Sequence, residues 1–229
     1  MPAVSGEGSG GGGNMFASDR DLLAYEPRLF NEVSWAGQRV LESASGGTID
    51  SSGLTLTVTG AKFLDWGVDT GWVVLAGDVP LEVSYRINQT QLSVSRPRAS
   101  LDSAAIPTSA ASGLSVKAAS FMTQIGLAHA QVMRALGIEP GAVGVDGVGE
   151  ENITNPRAVI EVEALGALHL IYAAASAMVG PGSVMWTKAQ MYRERFIAAR
   201  RRLAVEIDAD GDGVADQVRR VTVAFLVRV

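Results

Sequence analysis

The sequence predicts an α+β fold: a bundle of apolar helices with an inserted small β-barrel-like subdomain, ending in a C-terminal β-hairpin and strand tail. Three observations predict this class. Apolar residues recur at helical spacing near the start and throughout the second half of the chain, but alternate with polar residues in the short runs between. Hydrophobic residues make up 47% of the 229 residues, enough to bury a sizeable core. Near the end, two strand-like runs flank a glycine-containing turn.

Changes in composition divide the chain into five predicted segments. They are a flexible Gly-rich arm (1–14), N-terminal helices (15–45), a small β subdomain (46–98), a helical bundle (99–204) and a C-terminal hairpin with its tail (205–229). The first residues, MPAVSGEGSGGGGNMF, contain no basic stretch followed by an apolar run. We therefore do not expect a secretory signal there.

The N-terminal helices are predicted from capping signals and one apolar face. Ser18 and Asp21 fit a capping box at the start of a helix. Pro27 suits the first turn of a second helix. The second helix is expected to bury four residues spaced by four, three and four: Leu29, Val33, Ala36 and Val40.

Strand patterning begins after Gly46. Leu54, Leu56 and Val58 alternate with threonines, and the runs GWVVLAG, LEVSYRI and QLSVSR follow. In the second run, one face is expected to hold Leu81, Val83, Tyr85 and Ile87. Four or five short strands bury one face only by closing on themselves, which predicts a small barrel or curled sheet. The Ser-, Ala- and Pro-rich residues 99–115 are expected to be a linker or surface loop.

Three longer helices are predicted after this linker. The first runs to about Gly137, and its stripe is Ala118, Phe121, Ile125, Ala128, Val132 and Leu136. The second is capped by Asn155, begins at Pro156 and continues to Met178. Its most apolar part, 164–179, is shorter than the roughly 20 residues that span a bilayer, so we expect a buried helix. The third runs from Ser183 to about Leu203, with the stripe Met185, Ala189, Tyr192, Phe196, Ala199 and Leu203.

Composition excludes several classes of function. The net charge of −5 argues against nucleic-acid binding that relies on overall charge. The absence of cysteine excludes disulfides, zinc–thiolate sites and cysteine nucleophiles. His129 and His169 are the only histidines, and no G-x-S-x-G, P-loop or H-E-x-x-H motif accompanies them. We expect His169 to be a hydrogen-bonded core residue, and a hydrolase using either histidine would need a partner that the sequence does not show.

The acidic stretch DADGDGVAD is the strongest candidate metal site. Asp208, Asp210, Asp212 and Asp216 match positions one, three, five and nine of a calcium loop, and Gly213 matches its turn glycine. Position twelve is Arg219 instead of a bidentate Glu, and the flanks are strand-like, so an EF-hand is not expected. Two interpretations stay open: a calcium loop of another type, and a solvated acidic turn of a hairpin.

The last helix and the tail carry the candidate contact residues. The arginines Arg193, Arg195, Arg200, Arg201 and Arg202 lie mostly off the apolar stripe. They form either a solvated face partly paired with Glu194 and Glu206, or, in an oligomer, a basic surface for nucleic acid. The tail RRVTVAFLVRV is either the second strand of the hairpin or an open edge offered to a neighbouring subunit. Its candidate contact face is Val221, Val223, Phe225 and Val227.

The order of these segments resembles a known family. The start SDRDLLAYEPRLF, the insert GWVVLAGDVPLEVSYRINQTQLSVSRPRAS, the helix EALGALHLIYAAAS and the end WTKAQMYRERFIAARRRLAVEIDADGDGVADQVRR resemble a head-to-tail connector (adaptor or neck) protein of tailed bacteriophages or gene-transfer particles. The resemblance covers most of residues 15–220. It implies a structural virion protein, not an enzyme, without a cofactor unless the Asp loop holds Ca²⁺.

The resemblance also implies partners and a location. Such proteins form a ring, typically of twelve copies, beneath the portal protein at the head–tail junction, assembled in the host cytoplasm. They extend the DNA channel and dock the next neck or tail protein, with no membrane partner. We therefore expect Arg193, Arg200 and Arg201 near an interface or the channel, and residues 221–229 at a portal or inter-subunit contact. The alternative is a calcium-dependent surface- or carbohydrate-binding module that uses the Asp208–Asp216 loop.

Overall fold

A computed structural model describes residues 15–141 and 148–221. Two short helices, α1 (Asp19–Tyr25) and α2 (Leu29–Glu32), precede six strands: β1 (Arg39–Ile49), β2 (Thr55–Thr57), β3 (Val73–Ala76), β4 (Val79–Asn88), β5 (Gln91–Ser95) and β6 (Ala111–Ser120). Then come α3 (Met122–Ala135), a 3-10 turn (Glu150–Asn152), α4 (Pro156–Val179), α5 (Val184–Arg202), β7 (Ala204–Ile207) and β8 (Gln217–Arg220). The α+β class is confirmed.

The six strands β1 to β6 form a closed antiparallel barrel in the order β1-β2-β5-β4-β3-β6. Strands β3, β4 and β5 follow one another as a meander and β6 returns beside β3, which is a Greek-key arrangement. Closure pairs every strand on both sides and leaves the barrel no open edge. The interior is filled with fully buried side chains such as Leu56, Phe63, Val74, Leu81, Leu92 and Val94.

The barrel is larger than the predicted β subdomain, because β1 begins at Arg39 and β6 ends at Ser120. Val40 therefore lies in a strand and is 51% exposed, and Ala118 lies in β6 instead of the predicted helix. Residues 99–115 are not all linker, because β6 begins at Ala111. Burial does not alternate strictly along β1 or β6, and the pairing of β1 with β6 contains register shifts. They are strands because each completes the ring of pairing, which local propensity does not encode.

The predicted face of β4 is correct only in its first half. Leu81 and Val83 are fully buried, whereas Tyr85 is 55% and Ile87 44% exposed. A register shift between Val83 and Tyr85 reverses the alternation along the strand. The second half of β4 thus presents an aromatic and an aliphatic side chain to the surface.

The second core lies among the helices. Helices α1, α3 and α5 pack on α4, and the outer faces of β3 and β6 contribute Val73, Leu75 and Ala119 to the same cluster. Gly166 of α4 allows a close approach, because an added Cβ would lie 3.0 Å from both Ala128 of α3 and Phe196 of α5. The helix predicted to follow the linker starts at Met122, four residues after Ala118.

Helix α4 is 24 residues long, longer than its most apolar part, and by length and composition alone it could cross a membrane. In the fold, 61% of its most apolar window is buried. It begins at Pro156 as predicted, but the Asn155 side chain does not cap it. Instead, Asn155 donates to the carbonyl of Ala204 (3.0 Å) and accepts from the amide of Glu206 (3.0 Å), which fixes β7 to the start of the helix.

A buried ion cluster joins α1 to the barrel. The carboxylate of Glu82 in β4, which is fully buried, accepts from Nε of Arg20 at 2.9 Å and from Nε of Arg98. Asp21 pairs with Arg20 at 3.1 Å, so two arginines face two carboxylates. Asp21 also accepts from the amide and hydroxyl of Ser18 (2.8 Å each), which is the acidic half of the predicted capping box.

Candidate functional site: the arginine face of α5 and the C-terminal hairpin

Helix α5 is fixed in the protein by its apolar stripe and by a polar clamp to α1. Ser183 caps the helix by accepting from the amide of Trp186 (3.1 Å). Ala189, Tyr192, Phe196 and Ala199 are buried, as the spacing predicts. Glu26, at the end of α1, accepts from Tyr192 Oη and from Lys188 Nζ, each at 2.7 Å. The buried side thus determines which residues face outward.

The arginines of α5 lie on the remaining surface. Arg193, Arg195, Arg201 and Arg202 are exposed, while Arg200 is half-buried over the ring of Phe196 at 5.4 Å. Within residues 15–141 and 148–221, none of these five guanidinium groups has a carboxylate within 4.0 Å. The pairing with Glu194 and Glu206 that the sequence suggests is therefore not formed. Arg193 and Arg200, two turns or about 10 Å apart, share one flank, and Arg201 stands beside them.

The predicted hairpin is present directly after this helix. Strands β7 and β8 pair antiparallel from Ala204↔Arg220 to Ile207↔Gln217, and the acidic loop connects them. Asp208 is at the base of the loop: its main-chain amide donates to the carbonyl of Asn152 (2.9 Å), and its carbonyl accepts from the Asn152 side chain (2.7 Å). The hairpin is thereby attached to the 3-10 turn before α4.

The main-chain amides of the loop stabilise its crowded carboxylates by donating hydrogen bonds to them. The Asp208 carboxylate accepts from the amides of Gly211 (2.7 Å) and Gly213 (2.8 Å), and these glycines have φ of 79° and 87°. The bond from Gly213, and then that from Gly211, holds the pKa of Asp208 below its usual value, although burial acts in the opposite direction. Asp210, Asp212 and Asp216 each accept from one loop amide, at 3.2, 2.8 and 2.8 Å. The loop is thus ordered by its own backbone.

Three of the four predicted metal ligands come together. Asp208, Asp210 and Asp216 each offer one oxygen, and these oxygens lie within 4.8 Å of one another, whereas Asp212 does not join them. Strands flank the loop on both sides, as predicted against an EF-hand. Three carboxylates in this arrangement could hold one hard divalent cation, and they also satisfy the turn without one. Calcium binding remains a prediction.

The second strand of the hairpin has an open edge among the described residues. β7 is bounded on its outer side by an Ile153↔Ile207 bridge, but β8 pairs only with β7 in the part of the chain that the structure describes. Val218 on β8 is 56% exposed, and Val221 packs partly against the helical core. The other predicted tail contacts, Val223, Phe225 and Val227, lie outside the described residues.

A buried histidine with two carboxylate partners, which was not predicted from sequence, connects α3 with α4 and the 3-10 turn. His129 of α3 contacts Glu163 of α4 through Nδ1 (2.8 Å) and Glu150 of the 3-10 turn through Nε2 (2.9 Å). Burial lowers the pKa of His129, but the hydrogen bonds and charges of Glu163 and Glu150 outweigh burial and raise it. Glu163 also accepts from the amides of Phe16 (3.1 Å) and Ala17 (2.9 Å). His129 and Glu163 therefore join four segments: α3, α4, the 3-10 turn and the residues before α1.

The other histidine, His169, has no carboxylate partner among the described residues. His169 is half-buried on α4, and its Nδ1 lies 3.2 Å from the carbonyl oxygen of Ala189 on α5. The hydrogen bond was expected, but the side chain lies at the edge of the core instead of inside it. Neither histidine lies beside a serine or threonine hydroxyl in the hydrogen bonds of the described residues, so the geometry gives no nucleophile–base pair.

The chain was compared with protein-family models, with curated proteins and with solved structures, and nothing matches it. The arrangement of its own residues therefore carries the argument. Within the described residues, that arrangement combines a row of arginines without carboxylate partners on α5, an acidic loop after β7 and a strand edge of β8 without a strand partner.

Proposed function

We propose that this chain is a structural subunit of a ring at the head–tail junction of a tailed phage or gene-transfer particle. In this proposal the apolar helices form a bundle that is the body of the ring, which sits on the portal, extends the DNA channel and docks the next neck or tail protein. The resemblance of the segment order to connector proteins supports it. The protein acts by assembly and not by catalysis.

The row of arginines on α5 is the observation that carries this proposal. Isolated exposed arginines are common, but five on one helix without a carboxylate partner among the described residues leave a local positive field on a chain of net charge −5. Repeated around an axis, Arg193, Arg200 and Arg201 would face either the phosphates of passing DNA or a neighbouring subunit. One copy presents only a small part of such a surface.

Two further features supply contacts for assembly. Among the described residues β8 has no strand partner on its outer edge, and in this proposal a strand of another chain pairs there. The turn between α4 and α5 exposes four apolar side chains close together in the chain: Met178 (74%), Val179 (51%), Val184 (68%) and Trp186 (42%). Exposed apolar groups of this size favour burial against another protein surface.

The location of the protein in particles tests the proposal. Particles from the producing organism are labelled with gold-conjugated antibody and imaged by electron microscopy. One antibody is raised against residues 208–220 and a second against the exposed loop 99–105, so that an epitope covered in the ring does not hide the protein. Label confined to the single head–tail junction is expected. Label on capsid faces or tail fibres, or particles that lack the protein, would contradict the proposal.

A second test addresses the arginines. The variant Arg193→Gln/Arg200→Gln/Arg201→Gln removes three of the five arginine charges of α5. Glutamine keeps a high helix propensity at each position. Arg134→Gln/Arg157→Gln, at two exposed arginines elsewhere, is the matched control. We expect the triple variant, and not the control, to give particles that fail to join tails or to retain DNA. Equal yields of filled, tailed particles would contradict a role of these three arginines in assembly or DNA retention.

The three carboxylates of the hairpin loop favour a second candidate, a calcium-dependent surface- or carbohydrate-binding module. It predicts a large rise of the melting temperature with calcium and loss of surface binding in chelator. The ring proposal predicts only local stiffening of residues 204–220. A calcium titration followed by calorimetry separates the two.

A further inference from the structure

A cavity of about 600 Å³ lies where the α1–α2 turn meets the outside of the barrel. Its helical side is formed by Pro27, Arg28 and Asn31, and its barrel side by residues of β1, β6 and the β3–β4 turn, among them Ser43, Ser115 and Lys117. Clefts between two packed parts of a protein are frequent ligand sites. The residues that line this cavity include none of α5 or of the C-terminal hairpin, so the proposed function does not use it.

Lys117 is the central charge of the cavity wall. In β6, Val116 and Ala118 are buried in the barrel interior, so Lys117 projects to the outside, between Ser43 of β1 and Leu75 of β3. Its Nζ donates to Oε1 of Gln38 at 2.9 Å, and Gln38 is itself fixed by donating to the carbonyl of Phe30 at 3.1 Å. The ammonium group is thus positioned by a neutral acceptor.

No carboxylate lies within 4.0 Å of this ammonium group in residues 15–141 and 148–221. Its burial is partial and lowers the pKa of Lys117, as expected for a cation that has lost water without gaining a counter-ion. An ammonium group has three donors, and within the described residues one of them is used, by Gln38. Two donors therefore remain for a ligand.

The other walls add donors of the same kind. The hydroxyls of Ser43 and Ser115 make no hydrogen bond within the described chain. Arg28 is 80% exposed and makes one ion pair, to Glu32 at 3.4 Å. One carboxylate, that of Asp78, lines the cavity, and no cation lies within 4.0 Å of it among the described residues. The Asn31 side chain donates to the main-chain carbonyl of Asp78 at 3.0 Å.

We propose that this cavity binds a small molecule carrying a carboxylate or a phosphate group, with Lys117 as the principal anchor. The oxyanion accepts from the two remaining Nζ donors and from the serine hydroxyls, and Arg28 adds charge at the rim. Asp78 opposes an anion and limits the affinity. Carboxylate and phosphate share this chemistry, and the experiment distinguishes them by using both.

The test is an NMR titration of the full chain with inorganic phosphate and, separately, with acetate, at constant ionic strength. The chain is labelled with ¹³C, and the lysines are followed through their Cε–Hε signals, which leaves all three Nζ donors of Lys117 unmodified. Saturable shifts at Lys117, and not at Lys62 or Lys188, are expected with at least one probe, together with a rise of the pKa of Lys117, because a bound anion favours its charged form. Whichever probe binds at lower concentration identifies the group.

Three variants should change the affinity for the anion in three different ways: one weakens it, one leaves it unchanged and one strengthens it. Lys117→Met should weaken binding at least about tenfold, since hydrogen bonds to charged groups contribute more than neutral ones. Lys62→Met, at an exposed lysine elsewhere, should leave binding unchanged. Asp78→Asn should strengthen it, because it removes the like charge while its main-chain bond to Asn31 is kept. Absence of saturable binding of both probes, or binding unaffected by Lys117→Met and Asp78→Asn, would overturn the proposal and leave the ring proposal untouched.

Discussion

Glu82→Gln is the substitution that most directly tests how the barrel is attached to the helices. The side chain keeps its volume but loses the charge that two buried arginines share. Arg20 keeps Asp21 at 3.1 Å and the carbonyl of Arg98 at 2.6 Å. Arg98 keeps three neutral acceptors, the carbonyls of Leu101 and Ser103 and the hydroxyl of Ser84, but loses its only carboxylate among the described residues.

The expected cost follows from this difference. Removing one partner of a buried ion pair typically costs 3–5 kcal/mol, because the remaining charge stays buried without compensation. Since Arg20 retains a carboxylate, we expect about 3 kcal/mol, a large part of the roughly 5–15 kcal/mol that stabilises a typical domain. Hydrogen exchange should rise most in β4 and α1, the two elements that the cluster joins.

Urea unfolding measures this cost, followed in parallel by far-UV circular dichroism and tryptophan fluorescence. The matched control is Glu139→Gln, which removes a carboxylate 63% exposed and 3.7 Å from Arg134. Exposed pairs of this kind contribute little, so the control should unfold like the parent. If Glu82→Gln and the control unfold at the same urea concentration, the charge of Glu82 does not stabilise the attachment of α1 to the barrel.

Three further predictions concern protons and calcium. Burial raises the pKa of Asp19 to about 7, so the folded chain keeps a proton that the unfolded chain loses above about pH 4. Stability should therefore fall as pH rises between these values, by up to about 4 kcal/mol for a shift of about three pKa units. Asp19→Asn should recover much of this loss at pH 8 but not at pH 4, measured by urea unfolding. The raised pKa of His129 gives a contribution of the same sign at higher pH: it is full below about pH 6.5 and is lost as pH rises through the folded value. His129→Gln should therefore flatten the decline of stability above about pH 6.5, and an unchanged slope there would contradict the role of its contacts with Glu163 and Glu150. Calcium should slow hydrogen exchange only in the hairpin, an effect that Asp210→Asn removes and that Asp102→Asn, at an exposed aspartate far from the loop in sequence, leaves intact; a rise of several degrees in melting temperature would instead favour the calcium-dependent module.

The sequence determined the elements whose signals are local. Helices α4 and α5 begin within one residue of their predicted starts, because Pro156 and the Ser183 cap mark them and the apolar stripe repeats with a helical period. The acidic hairpin was predicted for the same reason, since its two strands are adjacent in the chain and its glycines permit the turn.

Only the tertiary structure decided the elements and contacts that join distant segments. Strands β1 and β6 pair with each other across about seventy residues, and their small and polar side chains carry little strand signal alone, so the closure of the barrel could not be read locally. The partners of His129, Glu82 and Lys117 likewise come from separate elements. A charge inside an apolar segment, such as Glu163, indicates that a partner must exist, because an unpaired buried charge is costly. Which residue fulfils that need is fixed by packing.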